Sequence, residues 1–430
     1  MTTWICTTPD KPWQDHSGSL ANAADSDSNL QLTDTRDQTI LGFGGCFNEL
    51  GWEALSWLDP DQRDQIIRDL FDPEDGCRFS FCRVPIGASD YAVSWYSHNE
   101  TEGDLDMNAF NIDRDHQYLI PYIKAAIAQQ PDLRLFASPW SPPTWMKQPK
   151  AYNYGTLVWN EQNLKAYALY LLKFVQAYQQ LGLDVRQVHV QNEPNSDQKF
   201  PSCLWKPEQF AEFIGDYLGP LFERENNPCE IWAGTIERPG YDTWPNRILS
   251  DAKAQRYVAG LGFQWAGKGA VQTTHLAWPD VPIIQTENEC GDGQNTWDYA
   301  RYVFSLIHHY MINGTCAYTY WNMVLPAGGR STWGWLQNSM ITVDPETRAV
   351  TYQPEFYVMK HLTRFIDNGA TRRGLAGPLA GNALAFENPG GSTTLLIANP
   401  SDNPRTLAVD INGQSLSATL PAQSFNTIVA

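Results

Sequence analysis

A chain of 430 residues can fold a barrel-sized domain of about 250 residues and a smaller companion, which excludes a shortage of core as a constraint. Its 48 acidic and 30 basic side chains leave a net charge of −18, which repels phosphate backbones and anionic lipid and so argues against nucleic acid as a partner. Aromatic residues make up 13%, including 17 tryptophans, more than a core requires, and indole faces suit the C–H faces of sugar rings.

The first residues, MTTWICTTPDKPW, have neither a basic start nor a continuous apolar stretch, and no run of 18 apolar residues follows. Neither a secretory signal nor stable membrane insertion is expected. The eight cysteines, at 6, 46, 77, 82, 203, 229, 290 and 316, are dispersed without a CxxC pair and read as mostly free thiols. Both features predict a reducing cytoplasm, although a chain from which a signal had been removed reads the same way.

Residues 30–40, LQLTDTRDQTI, alternate like an edge strand pair. From residue 41 the pattern changes. Strand-like segments at 41–46, 78–86, 133–138, 185–191, 231–235, 260–263, 283–286 and 317–321 are interleaved with helical stretches such as 161–181 and 296–313. Eight strand–helix units predict an α/β fold, a (β/α)8 TIM barrel. After a helix at 354–366, residues 382–430 break into short strands separated by turn residues, the pattern of antiparallel β structure. Strands at either end have no partner in the barrel, so both termini are expected to build one accessory β-sandwich. The organisation predicted is N-terminal sandwich strands in 1–40, the barrel in 41–366 and the C-terminal β-sandwich domain in 367–430.

Two of these strands end in a carboxylate. VHVQNEPN (188–195) runs into Glu193, and PIIQTEN (282–288) into Glu287. The C-terminal strand ends of a parallel barrel converge on one mouth, so residues remote in sequence can face each other there. Glycoside hydrolysis needs such a pair: one carboxyl protonates the leaving oxygen, while the other attacks the anomeric carbon or activates water. The bland alternative is two solvated turn glutamates. Strand alternation puts Glu289 on the same side as Glu287, as a rival for its role. The eight histidines show no HExxH or His/Cys ligand spacing, so no metal and no cofactor are expected. GFGG lacks the Lys-Ser/Thr of a phosphate loop.

Taken in order, GFGGCFNE (42–49), RVPIGASDY (83–91), ASPWSPPTWMK (137–147), QNEP, QTENEC, YWNMVLPAGG (320–329) and PEFYVMKHLTRFI (354–366) resemble glycoside hydrolase family 30, the glucosylceramidase-like retaining β-glycosidases. The resemblance spans nearly the whole chain. It implies that Glu193 is the general acid/base on the fourth strand and Glu287 the nucleophile on the seventh, acting through a covalent glycosyl-enzyme. It further implies that Arg83 holds the nucleophile ionised, that Asn192 bonds the sugar 2-hydroxyl, and that Asp90, Trp140 and Trp321 line the sugar pocket. Trp335, with Trp333, is expected on the loop after the eighth strand, shaping an aglycone subsite. Where the family pattern has His-Trp-Tyr, this chain has Gln264, Trp265 and Ala266, which removes an imidazole and a phenol and leaves sugar specificity open. Gln264 is assigned to the substrate-binding set.

A pocket closing round one terminal ring predicts an exo-acting enzyme on β-linked oligosaccharides or small glycosides of glucoside, xyloside or fucoside type. Three alternatives stand beside it. One is an endo-acting β-1,6-glucanase or galactanase of the same family. A non-catalytic carbohydrate-binding barrel would lack one carboxylate. A cofactor-dependent barrel oxidoreductase would need a phosphate or nicotinamide site, and none is visible.

Overall fold

The computed structural model describes residues 2–23 and 28–430; residues 1 and 24–27, within the predicted segment 1–40, lie outside the described residues. Eight parallel strands close into a barrel in chain order: β1 (Gly42–Cys46), β2 (Phe81–Ile86), β3 (Arg134–Pro139), β4 (Val185–His189), β5 (Glu230–Ile236), β6 (Val258–Gln264), β7 (Ile283–Glu287) and β8 (Thr315–Asn322). Every residue of β1, β2, β7 and β8 is buried. One face of such a strand packs on helices and the other fills the barrel, which is why these segments read as near-continuous apolar runs.

Inside the barrel, Phe81 of β2 and Phe136 of β3 stack with ring centroids 5.2 Å apart, in one buried cluster with Trp232 and Ile284. This plug has a consequence for the site. The two-residue period of a strand brings Arg83 and Ser138, each two residues further on, to the same inward face but nearer the C-terminal mouth. The glycines of GFGG serve strand packing: a Cβ on Gly44 would lie 2.2 Å from the Phe81 carbonyl oxygen, and one on Gly45 2.3 Å from Met323 Cγ.

Both chain ends enter one sandwich. Its larger sheet has the order Lys11–Asp15, Thr3–Thr8, Ser424–Val429, Thr393–Asn399, Ala383–Glu387, Thr371–Ala376, Gln31–Thr39, with every neighbouring pair antiparallel. Arg405–Ile411, Gln414–Leu420 and Ala21–Asn22 form the second sheet. The expected edge pair at 30–40 is instead one nine-residue strand, Gln31–Thr39, paired with Thr371–Ala376. No residue in it takes the positive φ of a tight hairpin, so the chain runs straight through. A small sheet of Val324–Pro326, Ile341–Val343 and Val350–Tyr352 follows β8 and supports the loop that carries Trp333 and Trp335. At three residues each, these strands are too short to show a period in sequence.

The sandwich shares core with the barrel. Phe425 of strand Ser424–Val429 packs on Trp297 at 4.8 Å and Phe304 at 5.6 Å, both on the barrel helix Trp297–Ile312. His361, on helix Pro354–Thr363, is buried between Thr7 Oγ1 at 2.9 Å and Thr427 Oγ1 at 2.8 Å. Burial pushes its ring pKa down to about 3, so it is neutral in the fold. All eight cysteines are buried and unpaired. Among the described residues, no helix is long and apolar enough to cross a membrane, and no cluster of three or more His, Cys, Asp or Glu side chains could hold a metal ion.

Candidate active site

The mouth of the barrel is organised around Arg83. Its guanidinium, fully buried, donates to Ser138 Oγ at 2.8 and 3.0 Å, to Asn192 Oδ1 at 2.6 Å and to Glu287 Oε2 at 2.8 Å. The indoles of Trp140 and Trp321 flank the same group, with ring centroids 4.5 and 5.5 Å from its central carbon. A buried cation of this kind is tolerable because it is paired with one carboxylate and its N–H groups find acceptors.

Gln264, the last residue of β6, joins the two strand-end glutamates. Its Oε1 accepts from Thr286 Oγ1 at 2.9 Å and Arg83 at 3.3 Å, which fixes the amide so that Nε2 points the other way. That nitrogen donates to Glu193 Oε1 at 3.1 Å, Glu287 Oε2 at 3.3 Å and Asn192 Oδ1 at 3.2 Å. The expectation that Gln264 binds substrate is therefore corrected: it is fully buried, and its hydrogens are committed to the carboxylates beneath the pocket. The neighbouring Trp265 donates its indole N–H to Glu287 Oε1 at 3.0 Å. A phenol is missing from the sequence pattern here, yet the Glu287 carboxylate still receives a donor.

Two of these residues hold unusual backbone. Glu193 and Trp265 have φ of 46° and 48°, the left-handed region that costs a non-glycine residue about 1 kcal/mol or more. For Glu193, which lies beyond the end of β4, this turns the side chain back over the mouth; its backbone N–H meets Thr235 Oγ1 on β5 at 3.3 Å.

Burial raises both carboxyls above the ordinary glutamate range, and the charge of Glu193 raises Glu287 further, to about 7, against the pull of Arg83. The charge of Glu193 acts on Glu287 and on Glu237 alike, so these carboxyls do not titrate independently. The ion pair with Arg83 and the bond from Trp265 both fall on Glu287 and favour its ionised form against burial.

The pocket above the pair has a volume of about 190 Å³ and is lined by Asp90, Trp140, Asn192, Glu193, Trp265, Glu287, Trp335 and Gln337 among others. Asp90 is buried, and burial followed by the charges of Glu287 and Glu193 raises its carboxyl well above the usual range. Asn192 spends its oxygen on Arg83, Thr235 and Gln264, leaving the amide N–H₂ as the end available to a ligand. Trp335 stands at the mouth, 36% exposed, edge-on to Trp333 at 5.1 Å. Trp321 does not line the pocket: it is buried behind Trp140, stacked at 5.4 Å, with its N–H given to Gln337 Oε1 at 2.8 Å. Its contribution is to hold Trp140 and Gln337 in place.

Glu289 is excluded as a rival. One of its oxygens is salt-bridged to Lys268 and the other accepts from Tyr302 Oη at 2.7 Å, away from the pocket. Strand β7 ends at Glu287, so alternation no longer applies two residues on. Sequence reasoning missed Glu237, a buried carboxylate lining the pocket immediately after β5. The signal that found Glu193 and Glu287, an acidic residue just beyond an apolar strand, was present there too.

Residues 40–366 match the profile of the glycosyl hydrolase family 30 TIM-barrel domain, and residues 375–428 that of the glycosyl hydrolase family 30 β-sandwich domain. The chain belongs to glycosyl hydrolase family 30. Family 30 members are retaining glycoside hydrolases, and this chain is one. It is 30% identical over 427 residues to putative glucosylceramidase 4 of Caenorhabditis elegans, covering 91% of this chain and 81% of that protein. It is 26% identical to an endo-1,6-β-D-glucanase of Neurospora crassa, covering 92% and 84%. Among solved structures, SrfJ from Salmonella typhimurium has a TM-score of 0.91 at 23% identity, covering 100% of this chain and 99% of that one.

Proposed function

We propose that this family 30 enzyme releases single glycosyl units from the non-reducing end of β-linked glucosides, with Glu193 as general acid/base and Glu287 as nucleophile. One observation carries the assignment. A single amide nitrogen, Gln264 Nε2, lies within 3.1 Å of one carboxyl and 3.3 Å of the other. That keeps the two bonded oxygens closer together than the roughly 6.5–9.5 Å spacing of inverting pairs, which must leave room for a water.

In the first step Glu287 attacks the anomeric carbon while Glu193 gives its proton to the departing oxygen. A glycosyl ester on Glu287 results. Water then enters, Glu193 takes its proton, and attack on the anomeric carbon breaks its bond to Glu287, which leaves as the carboxylate and returns the sugar with its configuration retained. As Glu287 loses charge into the ester, Arg83 keeps its bond to Asn192 Oδ1 and so orients that amide; the Asn192 N–H₂ bonds the 2-hydroxyl, a contact that strengthens as oxocarbenium character develops. A raised Asp90 carboxyl meets ring hydroxyls, which it can serve as acceptor or donor.

Two features support exo action and the glucosyl unit. The pocket is smaller than the usual 300–1,000 Å³ of ligand sites, which suits one ring. The names of the worm and fungal relatives share a glucosyl unit, whereas their leaving groups differ. The test is a panel of aryl β-glycosides followed by NMR of the first anomer released, together with chromatography of early products from a β-1,6-linked glucan oligosaccharide. The β-anomer and free glucose are expected first. Release of the α-anomer would overturn the assignment of roles, and a ladder of mid-chain fragments would overturn exo action.

A further inference from the structure

Glu237 takes no part in the steps above, yet it is among the most deeply buried charged groups at the mouth, at 2% exposure. Its Oε1 is well served: the Asn195 backbone N–H donates at 3.0 Å, Ser196 Oγ at 3.0 Å, and Arg238 Nε stands at 3.8 Å. Its Oε2 is buried with no protein partner. A buried carboxylate oxygen without a donor is costly, and the fold keeps it at the wall of a ligand pocket rather than in the core.

Location decides which part of a substrate it meets. Glu237, Arg238, Ser196 and Gln198 line the pocket from the loops after β5 and β4, the side that carries Glu193, whereas Asp90 and Trp140 come from the ends of β2 and β3. A general acid sits beside the oxygen it protonates, so its neighbours border the leaving group. We infer that Glu237 Oε2 receives a hydrogen bond from a hydroxyl of the leaving group, which makes the favoured leaving group a second sugar rather than an apolar aglycone. The inference rests on the reading of Glu193 as acid/base.

The chemistry of the site selects a hydroxyl over other donors. Burial, and then the charge of Glu193, raise the Glu237 carboxyl to about 7, so both of its forms are populated near neutrality. A hydroxyl donates to the ionised form and accepts from the protonated one. An ammonium group fits only the first, and Arg238 already supplies a positive charge beside Oε1. An alkyl chain satisfies neither.

The test compares a β-linked glucosyl disaccharide with an aryl β-glucoside, using wild type, Glu237→Leu and Glu237→Gln. Glu237→Leu should lower kcat/KM on the disaccharide about ten-fold more than on the aryl glucoside, and Glu237→Gln, which keeps a polar group, should recover most of that difference. In parallel, disaccharides each lacking one hydroxyl of the leaving sugar are assayed with wild type, a measurement that needs no variant to fold. One of them should lose about ten-fold in kcat/KM. Equal losses of the Leu variant on both substrates, or a flat deoxy series, would overturn the inference while leaving the glycosidase reading intact. So would a wild type that hydrolyses aryl glucosides and no disaccharide. A wild type inactive on every substrate would sink both.

Discussion

Glu287, at the end of β7, is met by a guanidinium, an indole N–H and an amide N–H; Glu193, beyond the end of β4, shares the amide, bonds the Ser196 side chain and has the carboxyl of Glu237 near it. The same side chain thus lies in two fields. At Glu287 a cation and an indole N–H favour negative charge against burial, whereas a second carboxyl stands beside Glu193. On the roles proposed above, environment rather than residue type would separate nucleophile from acid.

The comparison breaks most sharply at Glu287. Glu287→Gln should lower turnover roughly 10⁴-fold or more while leaving the fold intact, because an amide of the same shape cannot attack as an anion. A 2-deoxy-2-fluoro glucoside should label the wild type at this residue, and a label found by mass spectrometry on Glu289 would refute the assignment. Glu193→Ala should cost about 10²–10⁴-fold on poor leaving groups and much less on activated aryl glycosides, with azide restoring part of the deglycosylation. Equal losses across leaving groups would remove the distinction between the two ends.

Trp265→Phe sharpens the comparison without deleting either carboxyl. Its indole bond lowers the Glu287 carboxyl against burial, so loss of the N–H should raise that pKa. Because the reaction needs Glu287 ionised, the acidic limb of the kcat/KM profile should move to higher pH, with about a ten-fold loss at the optimum. An unmoved limb would show that the indole positions the sugar instead.

The smallest effect on activity comes from a titrating group far from both ends. His361 is held neutral, with its pKa lowered from 6.5 to about 3. Below pH 6.5 the unfolded chain binds a proton that the folded chain refuses, so this contribution is present above that pH and is lost progressively towards pH 3. Between pH 7 and pH 5 the loss should be about 2 kcal/mol, measured by denaturant unfolding, and His361→Asn should flatten that slope. If the pH profile of activity follows the same slope, unfolding rather than the carboxyl pair sets the acidic limb.

The barrel strands and the glutamate pair were legible because both are local signals: an apolar run and the acid at its end. The helices at 161–181 and 296–313 were legible for the same reason, and their observed bounds, Glu161–Gln180 and Trp297–Ile312, differ by a residue or so at the ends. What sequence concealed is what neighbours decide across the barrel. Gln264 read as a substituted imidazole and a gap in the site; only closure of β6 against β7 and β2 shows that its amide bridges both carboxyls. Trp321 read as a pocket wall because stacking behind Trp140 leaves no trace in one chain position. Within 1–40, strands Thr3–Thr8 and Lys11–Asp15 were not placed individually, since Thr3–Thr8 gains meaning only beside Ser424–Val429, at the far end of the sequence, and Lys11–Asp15 only beside Thr3–Thr8.

The family profiles meet this chain as two separate stretches, but the contacts do not divide there. Phe425 sits among the aromatic rings of a barrel helix, and His361 ties another barrel helix to strands from both termini. A chimera that took its accessory layer from one relative and its barrel from another would join surfaces that never co-adapted, at a seam where aromatic rings from both sides interlock. Recombination between relatives is therefore expected to succeed only when the crossover carries helices Trp297–Ile312 and Pro354–Thr363 together with the strands they grip, so the inherited unit runs across the boundary that sequence profiles draw.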